Sequence, residues 1–102
     1  MMKRKQALTV AGSDSMGGAG IQADLKTFEE LDVHGMSVIT AIVAQQGDNI
    51  RNIYPQPLEG IEAQFDTAVT AVGVAAMKTG MLFSKDIIEC VAEKIQHHHL
   101  TH

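Results

Sequence analysis

Ala7-Leu8-Thr9-Val10-Ala11 is a short apolar run that stops at Gly12. The residues that follow, Gly12-Ser13-Asp14-Ser15-Met16-Gly17-Gly18-Ala19-Gly20, carry four glycines in nine positions. A short apolar run bounded by glycine suits a strand buried on both faces. Beyond the glycines, Ile21, Leu25, Phe28 and Leu31 recur at helical spacing, and His34 and Gly35 are expected to end that helix. Strand, glycine loop, helix is the opening of an α/β unit.

The rest of the chain repeats the alternation. Met36 to Ala44 is an apolar, β-branched run read as a second buried strand. Gln45 to Arg51 is polar and reads as a loop, and Asn52 to Tyr54 as a short extended piece closed by Pro55 and Pro57. Leu58, Ile61, Phe65, Ala68 or Val69, and Val72 then follow a helical period, with Pro57 suited to its first position. Val74 to Met77 is a third strand, followed by Lys78-Thr79-Gly80-Met81. Ser84 is a good N-cap and Asp86 a good first-turn acid for a last helix presenting Ile87, Ile88, Val91 and Ile95. Such alternation predicts a parallel sheet with helices against it. Ligands in open α/β sheets bind at the C-terminal edge of the strands, where the loops are expected to begin at Gly12, Gln45 and Thr79.

Composition sets the limits. The 102 residues carry 8 Lys plus Arg and 12 Asp plus Glu, a net charge of −4, and 45% are hydrophobic. That is ordinary globular composition for one small domain. The acidic balance argues against an extended basic surface for nucleic acid. No apolar run reaches the ~18 residues of a membrane span, and Met1 to Gln6 does not open a signal peptide. A single cysteine, Cys90, suits a reducing cytoplasm and is expected to be a small buried residue. His98 and His102 are four apart, but no other ligand-type residue clusters with them, so no metal site is expected. Three strands make a narrow sheet with exposed edges, one of which could pair with a second copy as a homo-oligomer. After the last helix a further strand is due. Residues 1–102 therefore read as the front of something larger, or as a chain that needs a partner to cover an edge.

The glycine loop does not follow G-x-G-x-x-G, and no Gly-Lys-Ser/Thr follows it. Its helix start could favour an electron-rich group, or the loop could be a plain connection. Asp24 is more informative. At about 100° per residue with Ile21 at 0°, Leu25 falls at about 40°, Phe28 at about 340°, Leu31 at about 280° and Asp24 at about 300°. A carboxylate in that apolar sector must be functional, or must tie down the preceding loop through backbone N–H groups. Gln45 stands at the ligand edge with an amide suited to a ring nitrogen beside an amino group, or it faces water. Met81 could lie against an aromatic ring or serve as core.

Ala7 to Ser15, Gly17 to Phe28, Ser37 to Gln45 and Lys78-Thr79-Gly80-Met81-Leu82 together resemble the opening of the hydroxymethylpyrimidine/phosphomethylpyrimidine kinases, members of the ribokinase-like superfamily. The resemblance runs through essentially all 102 residues. It implies an α/β fold, a three-layer α/β/α sandwich with a parallel sheet, of which this chain supplies the N-terminal part. It also implies transfer of phosphoryl groups from ATP with Mg2+ to 4-amino-5-hydroxymethyl-2-methylpyrimidine and then to its monophosphate, in thiamine biosynthesis in the cytoplasm. Carried onto matching positions, Asp24 resembles the residue near the substrate hydroxymethyl group and Gln45 the side chain that recognises the aminopyrimidine. Gly12, Ala19, Val43 and Met81 resemble pocket-lining positions. Met16 departs from the family's small polar residue. Nothing after Met81 resembles the later glycine-rich anion hole, so no catalytic residue is assigned here and little or no kinase activity is expected of the isolated chain. Two other readings share the opening: a vitamin B6 (pyridoxal or pyridoxine) kinase of the same superfamily, and a catalytically inactive, truncated pyrimidine-binding chain.

Overall fold

A computed structural model describes residues 4–46 and 48–102, and for residues 45, 46 and 49–51 the backbone alone. The elements are β1 (Gln6–Asp14), α1 (Gly20–Glu30), β2 (His34–Gln46), β3 (Asn49–Pro55), α2 (Leu58–Thr67), β4 (Ala76–Thr79) and α3 (Lys85–His97). A π-helical turn, Ala68–Val72, prolongs α2. The order of elements is the predicted one. The strands lie in the order β3-β2-β1-β4.

β1 pairs in parallel with both β2 and β4, as the alternation predicts. β3 does not follow that rule and runs antiparallel to β2, so the sheet is mixed rather than wholly parallel. The polar stretch read as a loop from Gln45 to Arg51 is mostly strand, with only residues 47 and 48 between β2 and β3. A connection that short joins antiparallel strands, whereas a parallel pair needs a crossover of a dozen residues or more.

Alternate residues of a strand point to opposite faces. Leu8, Val10 and Val38 face α2 and α3, where they form one core with Ile61, Phe65, Ala68, Ile87, Cys90 and Val91. Thr9 and Gly35 face the other way, toward α1. Helices on both faces make three layers. Gly35 does not end α1 as expected. The helix stops at Glu30, Asp32 takes a left-handed φ of 58°, and His34 already starts β2. Gly35 serves packing instead: a Cβ there would come within 2.9 Å of both Leu25 and Phe28.

Other boundaries shift for similar reasons. β1 continues through Gly12 to Asp14, because β2 offers it partners as far as Val43. β4 begins at Ala76, two residues later than predicted, and Lys78 and Thr79 belong to it. Leu31, Leu58, Val72 and Ile88, placed on apolar faces by periodicity, are exposed. Ser84 caps α3 as expected, its hydroxyl accepting from the N–H of Ile87 at 3.2 Å. Among the described residues no helix is long and apolar enough to cross a membrane.

Candidate functional site

The C-terminal ends of β1 and β2 and the segment leaving β4 converge on one cavity of about 240 Å³. Gly12, Ala19, Val43 and Met81, four of the residues singled out from sequence, line it, with Ala11, Ile53 and Lys78 among the others. A larger open depression of about 440 Å³ lies between β2 and α2. It contains no charged side chain and sits toward the other end of β2, so it is not the candidate site.

Sequence-local chemistry shapes the cavity. Asp14 ends β1, and its carboxylate gathers the glycine loop. Oδ1 accepts from the N–H of Met16 at 3.0 Å, and Oδ2 accepts from Gly18 at 3.0 Å and Ala19 at 2.9 Å. α1 has no side-chain cap of its own, so Asp14 acts as the anion that a helix start attracts. Those N–H groups are then already satisfied, and the loop does not cradle a phosphate through them. Gln22 fixes the loop from the helix side, accepting from Asp14 N at 2.8 Å and donating to Ser13 Oγ at 2.8 Å. Gly20 has a φ of 60°, and a Cβ there would run into the carbonyl of Gly12. Only glycine permits this close crossing of loop over strand.

Opposite the loop, Met81 closes the cavity. Its terminal methyl lies 2.9 Å from where a Cβ on Gly12 would stand, so the missing side chain leaves it room. The Met81 carbonyl accepts from buried Thr40 at 2.8 Å. Thr40 lies where β2 shifts register against β1.

Asp24 stands behind the wall rather than on it. Its Oδ2 accepts from Thr9 Oγ1 at 2.6 Å and from Lys78 Nζ at 2.9 Å. It does not tie down the loop, a task that falls to Asp14. Gln45 lies near the end of β2, opposite Ile50 of β3, and its side chain is outside the described residues. Sequence reasoning passed over Asp14, Thr9 and Lys78. Asp14 carried a local signal, an aspartate just before a glycine run, as in turns that fold onto their own carboxylate. Thr9 and Lys78 carried little, since their roles arise from tertiary contact.

A second charged group ties α2 to α3, away from the cavity. Asp66 Oδ1 meets Lys94 Nζ at 2.9 Å and His98 Nε2 at 2.8 Å. The Lys94 and His98 hydrogen bonds hold the Asp66 carboxyl below its ordinary value, and Asp66 in turn raises Lys94. Burial pushes the Cys90 thiol up, and Glu62 and Glu93 add to the effect. α3 ends at His97, so His98 and His102 do not share a helical face.

Residues 14–102 match the family model described as phosphomethylpyrimidine kinase. The hydroxymethylpyrimidine/phosphomethylpyrimidine kinase of Salmonella typhimurium is 48% identical over 99 residues, covering 97% of this chain and 37% of that protein. The pyridoxine kinase of Bacillus subtilis is 53% identical over 97 residues, covering 93% and 36%. A solved structure described as the last common ancestor of HMPPK and PLK/HMPPK vitamin kinases superposes with a TM-score of 0.88 at 62% identity, over 97% of this chain and 46% of that one. The chain thus spans little more than a third of the length of the curated relatives it matches.

Proposed function

Because this chain belongs to the phosphomethylpyrimidine kinase family, we propose that it carries the substrate-binding front of a kinase acting on 4-amino-5-hydroxymethyl-2-methylpyrimidine and its monophosphate. ATP is the phosphoryl donor in this reading, and thiamine biosynthesis in the cytoplasm is its setting. The observation that carries it is the cavity at the strand ends, where Gly12, Ala19, Val43 and Met81 come together. Its apolar wall with a few polar groups suits a small, flat heteroaromatic ring. Gln45, at the same end of the sheet, is the residue for the aminopyrimidine edge.

Asp14 occupies the N–H groups of Met16, Gly18 and Ala19, so the glycine loop does not offer them to the nucleotide phosphates. Phosphoryl transfer depends on positioning and charge stabilisation, and in this reading the later part of a longer relative supplies both. Pyrimidine-dependent ATP consumption by the isolated chain, at a rate comparable to an intact kinase, would overturn this.

The direct test is a thermal melt of the purified chain with and without the hydroxymethylpyrimidine. A ligand that binds the folded chain alone raises Tm, and saturation at about 100 times Kd contributes about 2.7 kcal/mol. A melt indifferent to ligand sinks the reading. Pairing of two copies along a sheet edge is a separable part of it, and a strict monomer in light scattering removes that part.

Likeness to a pyridoxine kinase favours a second reading, a vitamin B6 kinase. Gln45→Met separates the two. It should weaken pyrimidine binding far more than pyridoxal binding, and equal effects would remove the pyrimidine assignment.

A further inference from the structure

Lys78 is the cationic side chain lining the cavity, and Asp24 reaches the cavity only through it. The ammonium group has three N–H donors. One meets Asp24 Oδ2 at 2.9 Å, and the Lys78 side chain keeps 44% of its surface against 20% for Asp24. The carboxylate oxygen that holds Lys78 also accepts from Thr9, which fixes it to β1. Gly80 leaves the approach open: a Cβ there would stand 3.4 Å from the Lys78 ammonium and 2.8 Å from Ala11 Cβ. Lys78 thus lies on the cavity wall and is anchored from behind by Asp24.

We propose that Lys78 is the residue that meets the oxygen substituent of the ring ligand, and that Asp24, with Thr9, is its positioning partner. The inference rests on the proposed small-ring ligand and deepens it. It exchanges the expected roles, since Asp24 was the residue expected near the hydroxymethyl group. The ammonium donates a hydrogen bond to the hydroxymethyl oxygen, and the carboxylate holds the ammonium in place. A hydrogen bond from a charged donor is among the stronger ones.

The test compares two ligands by calorimetry: 4-amino-5-hydroxymethyl-2-methylpyrimidine and its analogue lacking the hydroxyl, 4-amino-2,5-dimethylpyrimidine. The unmutated chain should prefer the hydroxyl compound by about tenfold. Lys78→Met should bind both alike. Asp24→Asn, which keeps the donor and loosens its anchor, should weaken binding while retaining part of the preference. The reverse pattern, with preference kept in Lys78→Met and lost in Asp24→Asn, makes Asp24 the contact and overturns the proposal. An unmutated chain that binds neither compound overturns the functional reading, and this inference with it. Should Lys78→Met not fold, acetylation of the unmutated chain decides. The hydroxyl compound should protect Lys78 more strongly than the analogue at equal occupancy, and equal protection counts against the assignment.

Discussion

Thr9 Oγ1 donates to Asp24 Oδ2 across 2.6 Å, from a position with no exposed surface. A hydroxyl in mid-strand requires a partner, and α1 places a carboxylate over it. Thr9→Val keeps the shape and removes the donor. The loss should be about 1.5–3 kcal/mol, the range for a hydrogen bond to a charged group. In a domain of this size each kcal/mol shifts Tm by roughly 4–8 °C. A variant that melts with the parent chain would show that the bond contributes nothing net.

Gly20→Ala meets two obstacles at once, a left-handed φ and the Gly12 carbonyl. A non-glycine residue held in such a conformation costs about 1–3 kcal/mol before any steric clash is counted. Urea denaturation should show a midpoint far below that of the parent, or no folded baseline. A midpoint near the parent's would mean that the crossing of loop over strand can relax.

Asp66→Asn tests the α2–α3 clasp through pH. Asp66 is held below its ordinary value of 3.8, chiefly by its hydrogen bond to Lys94 and next by that to His98. A depressed carboxyl contributes stability that is present above the unfolded value and is lost as pH falls through the folded one. The parent should therefore melt above Asp66→Asn near neutral pH, and the gap should close as pH drops below about 4. A gap that stays constant down to the acid limit assigns the effect to packing.

Cys90 is buried and its thiol is pushed above the ordinary 9.0. Only the thiolate reacts readily. At pH 8 the native chain should label with iodoacetamide far more slowly than the urea-unfolded chain. Equal rates would place the thiol at the surface.

Element order, the parallel direction of β1, β2 and β4, and the cap at Ser84 were all legible, because each follows from local spacing. The direction of β3 was not. A polar residue such as Asn49 looks like loop by composition, and its strand character comes from pairing with β2. Asp24 is the intermediate case. Its place in the apolar sector of the helix announced a carboxylate in need of partners. Those partners, 15 and 54 residues away in sequence, follow from the strand order, which spacing does not encode. The convergence of Gly12, Ala19, Val43 and Met81 was legible through resemblance, whereas the place of Lys78 depends on its tertiary contact with Asp24.

The carboxylate of Asp14 has a kinetic consequence. A loop whose donors are already engaged by its own chain has little left to freeze when a ligand arrives. The entropy of ordering that wall is spent during folding, and encounter becomes docking into a standing cleft. Association at this end of the sheet should be a single fast phase without a slow closing step, and selectivity should reside in how quickly each ligand leaves.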